Sequence, residues 1–299
     1  MQTPHDKFFK RSMNRKEIAE GFLKEYLPPG LLAQIDLETL ELEKDSFVDE
    51  ELEEHFSDMV YKAKLGEKES YLCFLLEHKS YPYSNITLQL LRYMLKIWNL
   101  KDEQDTEQLP LIVPMLIYHG KNEWNIGLKL SDIVEAVPKE AEDYLPDFKY
   151  ILFDLSDYSK ENIKGAGQMR VFVDVLSAVF RDDFEVNLYD AIKVLKELEE
   201  QDKALDYFQT IVRYIIEADV VDADLKAVEK IATQVSKEKG AEVMSIAEEL
   251  RAEGKKEGKK EERRKLAKKF LDVLDVETIA KKTGLDVEEV NKLKKDVEH

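Results

Sequence analysis

Two acidic residues and one lysine stand where they could act together on a phosphate group. Asp58 lies on a predicted strand, and Glu77 and Lys79 lie near the end of the next one, after the apolar residues 74–76. Side chains alternate along a strand, so Glu77 and Lys79 point to the same face. Because charged groups at the end of a buried strand need pairing or a metal ion, these residues form a candidate site.

The chemistry of this site follows if the two strands form a hairpin that places Asp58 across from Glu77. Two carboxylates and several waters are the ligands that Mg²⁺ (or Mn²⁺) favours. Lys79 would then lower the pKa of an attacking water or stabilise the charge that develops on a phosphate. The three residues outline a site for phosphodiester hydrolysis.

The elements that must position these residues can be read from the hydrophobic pattern. Residues 56–65 alternate, residues 66–69 have turn composition, and residues 71–80 are an apolar run, so together they predict a β-hairpin. Residues 110–120 and 149–157 are short apolar runs bounded by turn residues. Such runs are typical of buried strands in a sheet that helices cover.

Helices are predicted on both sides of these strands. Residues 5–26 have a helical pattern, and so do residues 85–100, where Asn85 is a candidate N-cap. From Gly167 onward the patterns are amphipathic and helical, with no further strand signal. The sequence therefore predicts an α/β or α+β core with a helical C-terminal extension.

Composition excludes several classes of protein. The chain has 299 residues, of which 43% are hydrophobic, with 11 Gly and 8 Pro, which excludes collagen-like and low-complexity chains. Cys73 is the single cysteine, so the chain forms no internal disulfide and has no cysteine-based zinc site. There is no apolar run of about 18 residues and the N-terminus is polar, so we expect a cytoplasmic protein without membrane contact.

The net charge of −18 taken alone argues against a nucleic-acid partner. The charge is segregated, however, because residues 251–269 carry ten bases and four acids. This basic stretch is either a DNA contact or a solvated helix face. Its candidate DNA-contact residues are Lys255, Lys256, Lys259, Lys260, Arg263 and Arg264. If DNA is the partner, the affinity should be weak, sensitive to salt and dependent on Mg²⁺.

Several blocks of the chain resemble one known family. The order Asp58, then Glu77-His78-Lys79 in an apolar strand, then a helix that carries Gln89, resembles the PD-(D/E)xK nuclease signature. More narrowly, HDKFFK at residues 5–10 resembles the recombination-promoting nuclease and putative transposase family of that superfamily. The other blocks that carry this resemblance are FSDMVYKAKL, YLCFLLEHKS, LQLLRYMLKIW, PMLIYHGKNEW and the tail IAKKTGLDVEEV.

The resemblance implies a Mg²⁺-dependent DNA endonuclease of recombination or mobile DNA, with a restriction-endonuclease-like fold in which helices flank a central mixed sheet. It makes Asp58 and Glu77 metal ligands, adds the backbone carbonyl of His78 as a further ligand, and makes Lys79 the catalytic lysine. Gln89 would be an accessory residue on the helix beside the site. Ser57 stands where the family usually has Pro. Restriction-like nucleases often pair to cut both strands, so a homodimer is compatible with this interpretation.

Three parts are predicted: a nuclease-like core at residues 1–160, a helical extension packed on it at 161–250, and a charged helix or linker with a small helical tail at 251–299. One alternative function is an inactive module that binds DNA or protein on the same fold. Another is cleavage of RNA, which the residues of the site do not distinguish from cleavage of DNA.

Some residues keep two interpretations. His5 and Asp6 would reach a metal or phosphate from the first helix, or Asp6 would cap that helix. Gln89 is either a site residue or an ordinary polar residue of an amphipathic helix. His119 is either a packed, hydrogen-bonded histidine or a ligand. The tail, with Ala280, Gly284 and Val290 at helix-turn-helix spacing, favours packing or oligomerisation over DNA recognition, because its second helix begins with acids.

Overall fold

A computed structural model describes most of the chain, in two units. The described residues are 3–43, 59–66, 71–102, 109–135, 138–156, 165, 167–178, 184–199, 207–218 and 225–298, with the backbone alone at 71–78, 100–102, 178, 184, 187, 257 and 296–298. Backbone contacts divide the chain into Met1–Gly240 and Ala241–His299. The three-part division inferred from the sequence stays a prediction.

One mixed five-stranded sheet forms the centre of the first unit. Its strands stand in the order of the sequence, and β1–β2 and β2–β3 pair antiparallel, whereas β3–β4 and β4–β5 pair parallel. The strands are β1 (Ile35–Leu42), β2 (Met59–Leu65), β3 (Tyr71–Lys79), β4 (Leu111–Tyr118) and β5 (Ile151–Asp154). The predicted hairpin, the two further predicted strands and the α+β class are confirmed. Strand β4 is largely buried as predicted, whereas β5 is an edge strand and mostly half-buried.

Strand β1 was not among the predicted elements. It occupies the start of an acidic stretch, and its acids alternate with half-buried residues, so that Asp36, Glu38 and Glu41 are exposed. Lys62 of β2 lies 3.4 Å from Glu41 and 3.1 Å from Glu43. An edge strand needs only one apolar face, which is why this strand is compatible with so much acid.

In the first unit, helices precede and follow the strands along the chain, and one helix lies between β3 and β4. Helices also make up most of the second unit. In the first unit they are α1 (Pro4–Met13), α2 (Lys16–Tyr26), α3 (Pro29–Leu32), α4 (Ile86–Asp102), α5 (Gly167–Ala178), α6 (Phe184–Glu199), α7 (Tyr207–Glu217) and α8 (Leu225–Val235). Helix α9 (Lys237–Phe270) follows, and α10 (Val276–Thr283) and α11 (Val287–Glu298) complete the second unit. Among the described helices, none is both long enough and apolar enough to cross a bilayer.

The predicted helix over residues 5–26 is two helices. Helix α1 ends at Met13, and Arg15 has an extended backbone before α2 begins. The guanidinium of Arg15 donates to Gln168 at 3.2 Å and lies 4.9 Å from the centre of the Tyr207 ring. These partners lie far along the chain, so helical periodicity alone could not reveal the break.

Helix α4 packs its apolar stripe on the sheet. Ile86, Leu90, Tyr93, Met94 and Ile97 are buried, at the spacing that predicted the helix. They share one core cluster with residues of two strands, β2 and β4, and of the loop before β5, namely Val60, Ile112, Leu116 and Tyr150. Both tryptophans, Trp98 and Trp124, pack against this cluster. The cluster therefore holds α4 on the sheet, where the helix lies next to β3 and β4.

The second unit has its own small core. The end of α9 and the two last helices bury Ala267, Ile279, Ala280, Leu285, Val290 and Leu293 together. Gly284 ends α10 with a φ of 69°, a left-handed conformation that glycine adopts without strain. The helix-turn-helix spacing thus produces the close packing that the sequence indicated.

The apolar stripe of α4 predicts a sharp difference between two leucines of the same helix. We expect Leu90→Ala to lower the free energy of unfolding by about 2–5 kcal/mol, because Leu90 is fully buried in the cluster. Leu88→Ala is the matched control, since Leu88 is 37% exposed, and should change it by less than about 0.5 kcal/mol. Urea unfolding followed by tryptophan fluorescence measures both. Equal shifts of the midpoint would contradict this packing.

Candidate active site at the carboxyl edge of the sheet

Three parallel strands end at the same edge of the sheet. Lys79 ends β3 and is paired with Tyr118 at the end of β4, which is paired in turn with Asp154 at the end of β5. Strand β2 runs antiparallel to β3, so β2 begins at this same edge. The carboxyl edge of parallel strands is where ligands commonly bind in such sheets.

The structure describes Lys79 of the predicted site in full, Glu77 and His78 in part, and Asp58 not at all. Glu77 and His78 pair with Leu116 and Ile117. Asp58 lies outside the described residues, and at Glu77 and His78 the description covers the backbone alone. The described pairing of β2 with β3 reaches Met59 opposite Leu76, the sequence neighbours of Asp58 and Glu77.

Lys79 is half-buried at the strand end. Its ammonium lies 5.5 Å from the centre of the Tyr83 ring, and Tyr83 itself packs against the core cluster under α4. An ammonium group is attracted to the negative face of an aromatic ring. The lysine is therefore flanked by an aromatic side chain that the core holds in place.

Gln89 lies on the first turn of α4, the helix that packs on β3 and β4. Its side-chain amide donates to the hydroxyl of Tyr93, one turn later, at 2.5 Å. Tyr93 is buried in the core cluster, so this bond fixes the direction of the Gln89 amide. The helix placement agrees with the prediction, and the role of Gln89 in the site stays a prediction.

His119 lies at the edge and contacts the strand that ends in Lys79. Its backbone N–H donates to the carbonyl of Lys79 at 3.1 Å, and its Nδ1 lies 3.2 Å from the same oxygen. A carbonyl only accepts, so Nδ1 carries the ring proton. The ring is 2% exposed. Of its two sequence interpretations, the packed and hydrogen-bonded histidine is the one observed.

His5 reaches the same edge from α1. Its ring lies edge-on to the ring of His119, with 5.0 Å between centroids, and its Nδ1 lies 2.9 Å from the hydroxyl of Tyr214. Burial raises the pKa of Tyr214, which keeps the hydroxyl protonated. The sequence offered a contact of His5 with a metal or phosphate but gave no indication that His5 meets His119.

Asp6, the neighbour of His5, caps its own helix. Its carboxylate accepts the backbone N–H of Thr3 at 3.0 Å, and the Thr3 hydroxyl accepts the backbone N–H of Asp6 at 3.2 Å. This reciprocal pair is a capping box. The capping interpretation of Asp6 is therefore confirmed, and its reach to a metal or phosphate stays a prediction.

Asp154 is an acid at the edge that the sequence analysis did not select. Its carboxylate accepts the backbone N–H of Trp124 at 2.8 Å, and the backbone N–H and hydroxyl of Ser156 at 2.9 and 2.6 Å. These bonds join the loop after β4 to the end of β5. Burial, together with the charge of Asp154, raises the pKa of Tyr118. The position of Asp154 directly after an apolar run was the signal that could have identified it.

Within the described part of the chain, no three residues of the His, Cys, Asp and Glu types group into a metal-binding cluster. This statement does not cover the two predicted carboxylate ligands, because Asp58 and the side chain of Glu77 are not among the described atoms. The metal site therefore stays a prediction, carried by the strand register.

The six candidate DNA-contact residues lie on α9, exposed to solvent. Two of them have a partner on α11: Lys260 and Arg264 lie 3.3 and 2.6 Å from the carboxylate of Glu289. Arg263 donates to the carbonyl of Gly284 at 3.4 Å. Three of the six thus hold α9 to the helices that follow, and whether any contacts DNA stays a prediction.

Glu289 is turned towards α9 rather than towards solvent. Burial raises the pKa of its carboxyl group, but hydrogen bonds from Arg264 and Lys260 outweigh that effect, so the pKa is lowered from 4.5. From the sequence alone, Glu289 is one of the acids at the start of the second tail helix that would face phosphates. Of the two successive acids at the start of α11, the exposed one is Glu288.

Comparisons with known proteins place these features in a wider context. A family model described as "Putative transposase, YhgA-like" matches residues 3–206. The inactive recombination-promoting nuclease-like protein RpnE of Escherichia coli (strain K12) is 26% identical over 253 residues, which cover 84% of this chain and 83% of that protein. No solved structure matches the chain.

Two further relatives of the same strain match a shorter stretch. The recombination-promoting nuclease RpnC is 37% identical over 119 residues, which cover 40% of this chain and 40% of that protein. The recombination-promoting nuclease RpnA is 35% identical over 118 residues, which again cover 40% of each. The chain thus spans well under half the length of the relatives that are named as nucleases.

The lowered pKa of Glu289 predicts how the second unit responds to pH. A carboxyl group whose pKa is lowered on folding stabilises the fold above its unfolded pKa, and that contribution is lost as the pH falls through the folded pKa. At neutral pH, Glu289→Gln should lower the opening free energy of α10 and α11, measured by hydrogen exchange, by about 0.5–1 kcal/mol. The difference from wild type should shrink as the pH falls below about 4.5, the ordinary value.

Glu288→Gln is the control for this measurement, because it removes the same charge from the exposed neighbour. It should change the opening free energy by less than about 0.5 kcal/mol at neutral pH. Equal effects of the two substitutions would show that the bonds from Lys260 and Arg264 do not stabilise the unit.

Proposed function

Because the chain belongs to the family described as "Putative transposase, YhgA-like", to which residues 3–206 match, we propose that it is a metal-dependent DNA endonuclease. Its relatives RpnC and RpnA are named recombination-promoting nucleases. The resemblance inferred from the sequence blocks is confirmed at the level of the family. Mg²⁺ dependence and the catalytic residues belong to the proposal.

The register of the hairpin is the observation that carries this proposal. Met59 pairs with Leu76 in the antiparallel hairpin, and Lys79 ends the same strand two residues after Glu77. Continuing the register by one residue would set Asp58 across from Glu77. Two carboxylates and a lysine at one edge of the sheet are the donor set that the proposed chemistry needs.

In the proposed site, Asp58, Glu77 and the carbonyl of His78 hold Mg²⁺ (or Mn²⁺). All three offer oxygen, which is the ligand atom that these hard cations select. When bound, such a cation supplies Lewis-acid polarisation of a phosphate oxygen and lowers the pKa of a coordinated water. The donor chemistry of the strand end therefore fits the cation.

Lys79 would orient the attacking water and stabilise the negative charge that grows on the phosphate oxygens. The water oxygen bonds to phosphorus while the bond from phosphorus to the 3′ oxygen breaks. The departing oxygen takes up a proton and leaves as a 3′-hydroxyl, and the phosphate remains on the 5′ side. The Tyr83 ring, 5.5 Å from the ammonium, limits where this charge can move.

A second candidate function is a non-catalytic module that binds DNA or protein on the same fold. One observation favours it: the relative that aligns with 84% of the chain is named an inactive nuclease-like protein. The presence of Glu77 and Lys79 in a paired strand, two residues apart, supports the catalytic proposal instead.

Cleavage of plasmid DNA by the purified full chain distinguishes these two functions. Wild type should cut in Mg²⁺ and stop in EDTA. Asp58→Ala should remove a metal ligand and Lys79→Ala the charge that stabilises the transition state, each lowering the rate by about 10²–10³. The matched control is Lys64→Ala, an exposed lysine of the same hairpin, which should cut as wild type does. The same residual cleavage in wild type, Asp58→Ala and Lys79→Ala would sink the nuclease proposal.

DNA binding tests the basic stretch separately. In a Lys79→Ala background with Mg²⁺, the double variant Lys255→Ala/Lys256→Ala should bind DNA more weakly. It should also reduce the slope of log affinity against log salt by about 1–2, since each lost phosphate contact contributes about 0.9. The charge-matched control is Lys281→Ala/Lys282→Ala, on exposed positions of α10, which should leave the slope unchanged. Equal slopes for the Lys79→Ala parent and both double variants would show that Lys255 and Lys256 face solvent and do not contact DNA.

A further inference from the structure

We propose that His119 is a positioning residue for Lys79, and that His5 and Tyr214 hold the His119 ring in the orientation this requires. The inference deepens the proposed nuclease function and rests on it. It concerns four side chains from α1, β3, α7 and the residue after β4. None of the predicted roles of His119 included an action through Lys79.

His119 contacts the carbonyl oxygen of Lys79 through two donors, its backbone N–H and its ring Nδ1. In a parallel pair of strands, the carbonyl of Lys79 is expected to accept the backbone N–H of the residue after Tyr118, and that residue is His119. The ring Nδ1 is a second donor to the same carbonyl, at 3.2 Å. A carbonyl oxygen has two lone pairs, so these two donors satisfy both.

The second donor matters because β3 ends at this carbonyl. Lys79 is the last residue of the strand, and a strand end has no further ladder bonds to keep its backbone from fraying. Fixing the carbonyl fixes the peptide plane after Lys79 and, with it, the direction in which the Lys79 side chain leaves the backbone. The imidazole thus acts on the lysine through the backbone rather than by touching its ammonium group.

Gly120 shows that the two strand ends are built to lie close together. A Cβ atom at this position would overlap the hydroxyl of Tyr118 and would lie 2.6 Å from the carbonyl oxygen of Ser80. Only glycine allows the chain after His119 to approach the chain after Lys79 this closely. The contact of His119 with Lys79 is therefore part of a close approach of two backbone segments.

The ring of His119 is itself braced from the helical side. His5 meets it edge-on at 61°, and the Nδ1 of His5 lies 2.9 Å from the Tyr214 hydroxyl. Tyr214 in turn stacks on Phe8, with 4.1 Å between the ring centroids and 8° between the planes. These aromatic contacts hold the buried His119 ring in one orientation. That orientation points Nδ1 at the carbonyl of Lys79, as the hydrogen bond requires.

This arrangement predicts an effect on the chemical step more than on DNA binding. A catalytic group that is misplaced by about 1 Å can lose about 10²-fold in rate. DNA affinity depends on the sum of many phosphate contacts, so it should respond little to a small movement of one lysine. A purely structural histidine would instead change stability without separating the two kinetic constants.

Two substitutions of His119 distinguish the effect of the Nδ1 hydrogen bond from the effect of ring size. His119→Phe keeps a planar ring and removes the donor, and His119→Asn keeps an amide donor near the position of Nδ1. With Mg²⁺ and full-length protein, we expect kcat to fall about 10- to 100-fold in the Phe variant with KM within about twofold. The Asn variant should restore kcat to within about fivefold of wild type. Lys121→Ala, on an exposed residue of the same loop, is the control.

The position of the proton on the His119 ring gives a second test. It can be measured in the wild-type chain without a cleavage assay, so it does not depend on whether a variant folds. Ring ¹⁵N shifts of His119 in the wild-type chain, assigned with the Asn variant, should show the proton on Nδ1 at neutral pH. Neutral imidazole more often carries it on Nε2, so the expected tautomer reports the bond to the Lys79 carbonyl. A proton on Nε2 would overturn the proposal.

The kinetic outcomes are equally distinct. If wild type cuts DNA and His119→Phe matches it in kcat, His119 does not position Lys79. A Phe variant that loses kcat and an Asn variant that loses just as much would also overturn the proposal, since the retained donor would then have no effect. If wild type shows no Mg²⁺-dependent cleavage, the nuclease proposal itself fails, and the positioning role inferred here fails with it whatever the tautomer.

Discussion

Strands β3 and β4 run parallel and pair along the whole of β4, from Leu72 with Leu111 to Lys79 with Tyr118. The rest of the first unit depends on this pairing. It places the ends of both strands at one edge of the sheet. It also positions Ile112 and Leu116 of β4, which pack in the core cluster under α4. A parallel pair needs a crossover connection, and α4 lies within it, so the helix that carries Gln89 is fixed by the same constraint.

The helices before and after the sheet complete the environment of this edge. Helix α1 packs on α7, which lies beyond the residues that match the family model. Through Phe8 and Tyr214, α7 determines where His5 lies, and His5 lies against His119. Helix α7 therefore contributes to the candidate site through packing.

Charge is unevenly distributed along the chain, in a way that is compatible with the proposed need for a metal ion. Acids of β1 face solvent on an edge strand, and Lys62 draws two of the acids in that region together. On α9, part of the positive charge is already engaged by Glu289. A cation at the proposed site would add positive charge beside Lys79 at the sheet edge.

Local sequence is enough to reveal the hairpin, the strands β4 and β5, the apolar stripe of α4 and the family, because each depends on periodicity or motifs within a few residues. Packing in three dimensions, in contrast, decided that Arg15 interrupts the first helix, that β1 joins the sheet, and that Glu289 turns towards α9. It also decided that His5, His119 and the Lys79 carbonyl meet. Each of these features is a contact between residues far apart in the chain, and such contacts depend on how the elements pack in space rather than on local sequence.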